Sequence, residues 1–194
     1  MTNRLTPSLL ATTFAAALLL PVANAADYVI DHQGAHASIN FKIKHLGYSW
    51  LTGRFDNFSG DFNYDAKNVN ASKIVVKIDT ASVNSNHGER DKHLRSDDFL
   101  DVKQFAEATF ISSSITDKGN NQLDVKGVFS FHGVSQEITI EAIKIGEGKD
   151  PWGGYRAGFS GTAKIALTDF AINKNLGPAS THVELTFHLE GVRQ

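Results

Sequence analysis

The residue types best suited to chemistry crowd into one stretch, Ser82 to Phe99, which carries His87, Glu89, Arg90, Asp91, Lys92, His93, Arg95, Asp97 and Asp98. Such a set can ligate a metal or provide an acid and a base, and on one helix Glu89 and His93 would share a face at i and i+4. The spacing matches no strong signature. His87 and His93 point in different directions on a helix, and both the His-Glu-x-x-His arrangement of zinc hydrolases and the Gly-x-Ser-x-Gly elbow are absent. A small metal-dependent hydrolase using the His87–His93 segment is therefore the alternative reading. The simpler one is a short solvated helix with local ion pairs, Glu89 with His93 or Lys92 and Asp91 with Arg95. Asn86 is the expected N-cap, and carboxylates ahead of cations suit the helix dipole. Ser96 is expected to cap a further turn whose Phe99 and Leu100 dock on whatever lies beneath.

The elements around this stretch are strands. Ala37, Ile39, Phe41 and Ile43 alternate with polar residues, as do Phe58, Gly60, Phe62 and Tyr64, then Ile74, Val76 and Ile78. Phe55 is out of phase with the second set, which predicts a bulge near Asp56-Asn57. After the interruption come Ala108 to Ile115, the row Leu123, Val125, Gly127, Phe129 and Phe131, and then Ile138 to Ala142. Ala157 to Leu167 and Val183 to Leu189 complete the set. About eight strands with one apolar face each, joined mostly by short turns, predict an all-β antiparallel meander. An up-and-down eight-stranded barrel removes the exposed edges, and a two-sheet sandwich is the runner-up. One or two short helices are expected between the third and fourth strands.

Compartment is read from the first residues. An apolar run from Leu9 to Val22 follows Arg4, and Ala23-Asn24-Ala25 provides a small-x-small cleavage site. Residues 1–25 are thus expected to be a signal peptide cleaved after Ala25, and 26–194 one exported, periplasmic domain. The run is shorter than the ~20 apolar residues that span a bilayer, so no membrane span is expected. With a net charge of −2 and no cluster of cations among aromatics, nothing points to nucleic acid. The absence of cysteine excludes disulfides, thiol catalysis and thiolate metal sites.

A barrel of this strand number has room for packed side chains or one small ligand. The predicted inner faces combine aromatics with Gly60, Gly127, Ala142, Ala157, Gly161 and Ala163, and the small residues are expected to leave a hollow apolar interior. Candidate lining residues are Phe41, Ile43, Phe62, Ile78, Phe110, Phe129, Phe131, Phe159 and Phe187. Arg90 and Arg95 are candidate head-group contacts at a barrel mouth. The loops His45–Gly53 and Asp150–Arg156 each set Trp and Tyr beside Gly, which suits a pocket rim. The near-neutral charge argues against strong membrane-surface binding.

These residues also carry a resemblance. The runs His45-Leu46-Gly47-Tyr48-Ser49-Trp50, Arg90-Asp91-Lys92-His93-Leu94-Arg95-Ser96, His132-Gly133-Val134, Asp150-Pro151-Trp152-Gly153-Gly154 and Leu176-Gly177-Pro178-Ala179-Ser180 resemble the YceI-like family of exported bacterial proteins, its enterobacterial periplasmic member in particular. The resemblance covers the chain beyond the leader. It implies a lipocalin-like barrel that holds a polyisoprenoid, an isoprenoid quinone or another lipid-like amphiphile, with no catalytic residues, no metal and no further cofactor. It sets neither the physiological ligand nor the oligomeric state, a dimer included.

Overall fold

A computed structural model describes residues 25–194. The expected leader therefore lies outside the described residues except for Ala25. The strands are β1 (Ala26–Ile30), β2 (Ser38–His45), β3 (Ser49–Phe55), β4 (Phe58–Tyr64), β5 (Lys73–Asp79), β6 (Val83–Asn84), β7 (Glu107–Gly119), β8 (Gln122–Phe131), β9 (Val134–Lys149), β10 (Tyr155–Ala166) and β11 (His182–Arg193). One helix, α1 (Gly88–Leu94), lies between β6 and β7. All pairings are antiparallel, and β1-β4-β5-β7-β8-β9-β10-β11 closes into an eight-stranded barrel through the contact of β1 with β11.

Three courses are each broken in two, β1 with β2, β3 with β4 and β5 with β6, which is why eleven pieces make eight courses. β11 has β10 along one edge and divides the other: Val183–His188 pair with β2, whereas Gly191–Arg193 pair with β1. The predicted bulge at Asp56-Asn57 separates β3 from β4 and lets Phe55 and Phe58 both reach the core, at 8% and 7% exposure. Ser82 supports this kink, because its carbonyl accepts from Asp56 N and its Oγ from Asn57 N, each at 3.0 Å. Past that point β6 follows β3 alone. Among the described residues β6 has no second partner strand, and the chain from Ser85 to Ala106 fills the opening between β6 and β7. Thr80 ties the far end of this panel, donating from N to Ala106 O and from Oγ1 to Phe105 O.

Where the strands return to the closed end, Arg156 of β10 gathers three carboxylates. Its Nη1 donates to Asp31 Oδ2 and Glu190 Oε1, both at 2.6 Å, and its Nε to Asp150 Oδ2 at 2.9 Å. Hydrogen bonds from Arg156 and His36 hold the Asp31 carboxyl well below the usual carboxylate range. Asp31, His36 and Glu190 offer a metal-like geometry. The Arg156 guanidinium already takes the cation's place there, so the group serves as a clasp between the β1–β2 loop and the β10–β11 pair.

The glycines correct an expectation. They do not leave the hollow. A Cβ on Gly127 would meet Phe110 Cζ at 2.7 Å and the Ser112 backbone at 2.8 Å, one on Gly161 would meet Ile140 at 2.7 Å, and one on Gly60 would strike the β5 backbone and Ile30. Aromatic rings and neighbouring strands have filled the room each glycine gives up, as Phe41 does over Gly53, its partner across the β2–β3 ladder. Small residues here permit close strand approach. Gly127→Ala is accordingly expected to lower stability by about 1–3 kcal/mol in urea unfolding. Gly146→Ala, whose Cβ meets open space, is expected to change it by less than about 1 kcal/mol.

Candidate functional site

The interior holds two unequal spaces. The larger, about 650 Å³, lies under the α1 panel and opens between the β2–β3 hairpin and the 173–180 loop. The smaller, about 80 Å³, lies toward the clasp end. Their walls show where the barrel is partitioned. Phe129 faces the large cavity and its ladder partner Phe110 the small one. Ile39 faces the large cavity and its partner Phe187 the small one. These buried side chains make a cross-layer through the barrel.

The predicted lining residues divide along this layer. Phe41, Ile43, Ile78, Phe129 and Phe131 border the large cavity, whereas Phe62, Phe110, Phe159 and Phe187 border the small void. Phe62, Tyr64 and Phe159 pack edge to face at 5.2–5.5 Å, so that end is filled by rings. Strand alternation placed the side chains on the right face but carried no signal of depth. Walls are also built outside strands: Phe99 and Leu100, expected only to dock the panel, line the cavity with Leu94, and after β10 so do Leu167, read as the end of a strand, and the unpredicted Ile172 and Leu176. For Leu94, Ile172 and Leu176 the signal in the sequence is an apolar residue within an otherwise polar stretch. Phe170, 1% exposed and packed on Phe129 and Phe131, anchors that second group.

The polar residues of the panel are turned to structural use. The helix is capped by His87, whose Nδ1 accepts from Arg90 N at 3.2 Å; Asn86, expected as the cap, instead adopts a left-handed φ of 62°, which asparagine tolerates better than most residues. Asp91 is 8% exposed and accepts from Ser85 N and Ser85 Oγ, rather than pairing with Arg95. Burial pushes its pKa up, but the two Ser85 hydrogen bonds and the charges of Arg95 and Arg90 outweigh that and hold it below the ordinary value. Arg95 donates to Ala81 O at 2.6 Å and Val83 O at 2.7 Å. It satisfies carbonyls beside β6 and does not border the cavity. His93 pairs with Asp98 at 2.8 Å, not with Glu89, and Asp98 also receives Lys174 at 2.8 Å. His87, Glu89, Asp91 and His93 therefore do not converge, and the geometry the hydrolase reading needs is missing.

Arg90 differs from Arg95. Its Nε and Nη2 donate to Ser85 Oγ and Ser85 O at 2.7 and 2.6 Å, while its side chain borders the large cavity. Nη1 has no protein acceptor among the described residues. The guanidinium is thus fixed in position with donors to spare beside an apolar chamber whose other polar lining includes Lys44, His93 and Asn175. An elongated apolar molecule with a polar end fits this arrangement: hydrocarbon against the strands, polar atoms near Arg90.

Known proteins support the same architecture. The YceI-like domain description matches residues 28–191. A UPF0312 protein of Shewanella sp. (strain ANA-3) is 58% identical over 187 residues, covering 96% of this chain and 98% of its own length. The crystal structure of Burkholderia cenocepacia BcnA superposes with a TM-score of 0.75 at 22% identity, over 83% of this chain and 98% of that one. A polyisoprenoid binding domain from Saccharophagus degradans superposes with a TM-score of 0.63 at 18% identity, over 88% and 100%.

Two expected outcomes test the panel. Arg95→Ala removes two charge-assisted bonds to carbonyls that have no strand partner, and should cost about 2–4 kcal/mol in denaturant unfolding. The lowered pKa of Asp91 means that its stabilisation is complete above the ordinary carboxylate value of about 4 and is lost as pH falls through the lower folded value. The stability gap between the parent chain and Asp91→Asn should therefore shrink between about pH 5 and pH 2, as read from thermal unfolding across that range.

Proposed function

The chain belongs to the YceI-like family, and from that premise we propose that it is an exported, periplasmic binding protein that carries or stores one isoprenoid-type molecule, a polyprenyl chain or an isoprenoid quinone. The observation that supports this reading best is the apolar cavity of about 650 Å³ with a guanidinium, that of Arg90, braced by Ser85 at its wall. That volume lies within the range of roughly 300–1,000 Å³ typical of small-molecule sites. Each buried methylene contributes about 0.8 kcal/mol, so a few five-carbon units offset the cost of ordering the ligand without any dense polar network. The description of the Saccharophagus degradans domain as polyisoprenoid binding agrees with this reading. Carriage requires no bond making, and Asp91, His93, Arg95 and Asp98 of the panel are engaged in hydrogen bonds within the fold.

Organic extraction of the purified protein followed by mass spectrometry should yield an isoprenoid in near-stoichiometric amount, and added quinone should bind an emptied sample. Ile43 borders the cavity and is only half-buried by its neighbours. Ile43→Trp is expected to fill the mouth, reduce quinone binding by about tenfold or more and leave the unfolding midpoint nearly unchanged. Equal binding by this variant, or a barrel that never takes up quinone or polyprenol, would overturn the proposal.

A further inference from the structure

Leu46 occupies a costly position in two respects. The β2–β3 hairpin turns through Leu46 and Gly47, with φ of 53° and 83°, and closes with Tyr48 N donating to His45 O at 3.0 Å. Such turns favour asparagine, aspartate or glycine at both positions. The other tight turns obey this preference more nearly, with Asn120-Asn121 and His132-Gly133. A β-hairpin that puts leucine in left-handed backbone also leaves it 58% exposed, at the rim of the large cavity.

Its neighbours continue the pattern. Tyr48 is 88% exposed and Trp50 47%, and the Trp50 ring lies 4.7 Å from Lys42 Nζ and 5.7 Å from Lys44 Nζ. Lys42 is matched by Glu184 at 2.9 Å, whereas Lys44 has no carboxylate partner among the described residues. From the tip inward the order is aliphatic, phenolic, indole, ammonium. That is the polarity gradient of a bilayer interface, where Tyr and Trp favour the headgroup level and lysine reaches outward.

We propose that this hairpin docks the cavity mouth on a phospholipid bilayer. Leu46 enters the acyl boundary, Tyr48 and Trp50 lie at headgroup level, and Lys44 adds a preference for anionic lipid. The surface stands on its own observations; its use, passing an apolar ligand between bilayer and cavity without a step through water, rests on the binding reading above. The near-neutral charge of the whole chain does not oppose it, since the contact is local and mostly apolar. A second copy of the chain is a poorer occupant. A stable pair needs roughly 800 Å² from each partner, more than a narrow tip offers, and a symmetric pairing would bring the Lys44 residues of the two tips toward each other.

Trp50 and Trp152 are the two tryptophans, and Trp152 belongs to the β9–β10 loop, so Trp152→Phe leaves Trp50 as the sole indole reporter. Added phosphatidylcholine vesicles should shift Trp50 emission to the blue and float the protein, more strongly when phosphatidylglycerol is included. Leu46→Asn suits the turn, and Tyr48→Ser alters a side chain outside the cavity lining. Each is expected to weaken vesicle partitioning about tenfold with no loss in the urea midpoint, and Tyr48→Ser should leave uptake of dansyl-undecanoate from solution unchanged. Absent partitioning of the parent chain, equal partitioning of both variants, or a tip-dependent dimer without vesicle binding would overturn the proposal. Tip-dependent partitioning by a protein that takes up no dansyl-undecanoate would support docking and sink the binding reading instead.

Discussion

Strand β11 has one free edge, and two strands use it. Pairing with β1 closes the barrel at one end; pairing with β2 carries the sheet away from closure at the other. A ladder that stops short leaves backbone polar groups to be satisfied by other means. Here the means are side chains. Ser82 meets the kink between β3 and β4, Thr80 meets the start of β7, and Arg95 meets two carbonyls beside β6. Arg95 answers that requirement within the panel, whose inner side, Leu94, Phe99 and Leu100, becomes a wall of the cavity.

The barrel was legible because each strand has one wet and one dry face, a contrast that period-two alternation expresses directly. The bulge after Phe55 was legible for the same reason, as a break in phase. What lies opposite a residue is not a local property, and the misreadings collect there. Gly127 reads as vacant space until Phe110 is seen folded over it from the neighbouring strand. Asp91 reads as a surface carboxylate because its partner, Ser85, lies outside any helical spacing. β9 runs on past Ala142 through Ile143 and Ile145, at 43% and 70% exposure, and such outward apolar residues blur the alternation that would have extended it.

The two arginines of the panel illustrate how similar residues divide between fold and site. Both donate to main-chain carbonyls, and both stabilise the charge of Asp91. Both use Nε and Nη2 within the fold, but Arg95 does so away from the cavity, whereas Arg90, braced by Ser85, borders it. A rigidly held guanidinium loses little freedom when it meets an acceptor, which makes it better suited to a polar ligand end than a free surface cation. Composition presents them as equivalent, and their place relative to the cavity separates them.

The cross-layer formed by Ile39, Phe129, Phe110 and Phe187 has a bearing on measurement. It gives the large chamber a floor at fixed depth. A tail that reaches this floor can descend no further, so every added isoprene unit raises the opposite end of the molecule toward the mouth. On the binding reading proposed above the barrel would act as a depth gauge: short molecules would be swallowed whole, one particular length would bring its polar end level with Arg90, and longer ones would stand proud of the rim. Selectivity for length would thus come from where the far end emerges, with no wall residue recognising length directly.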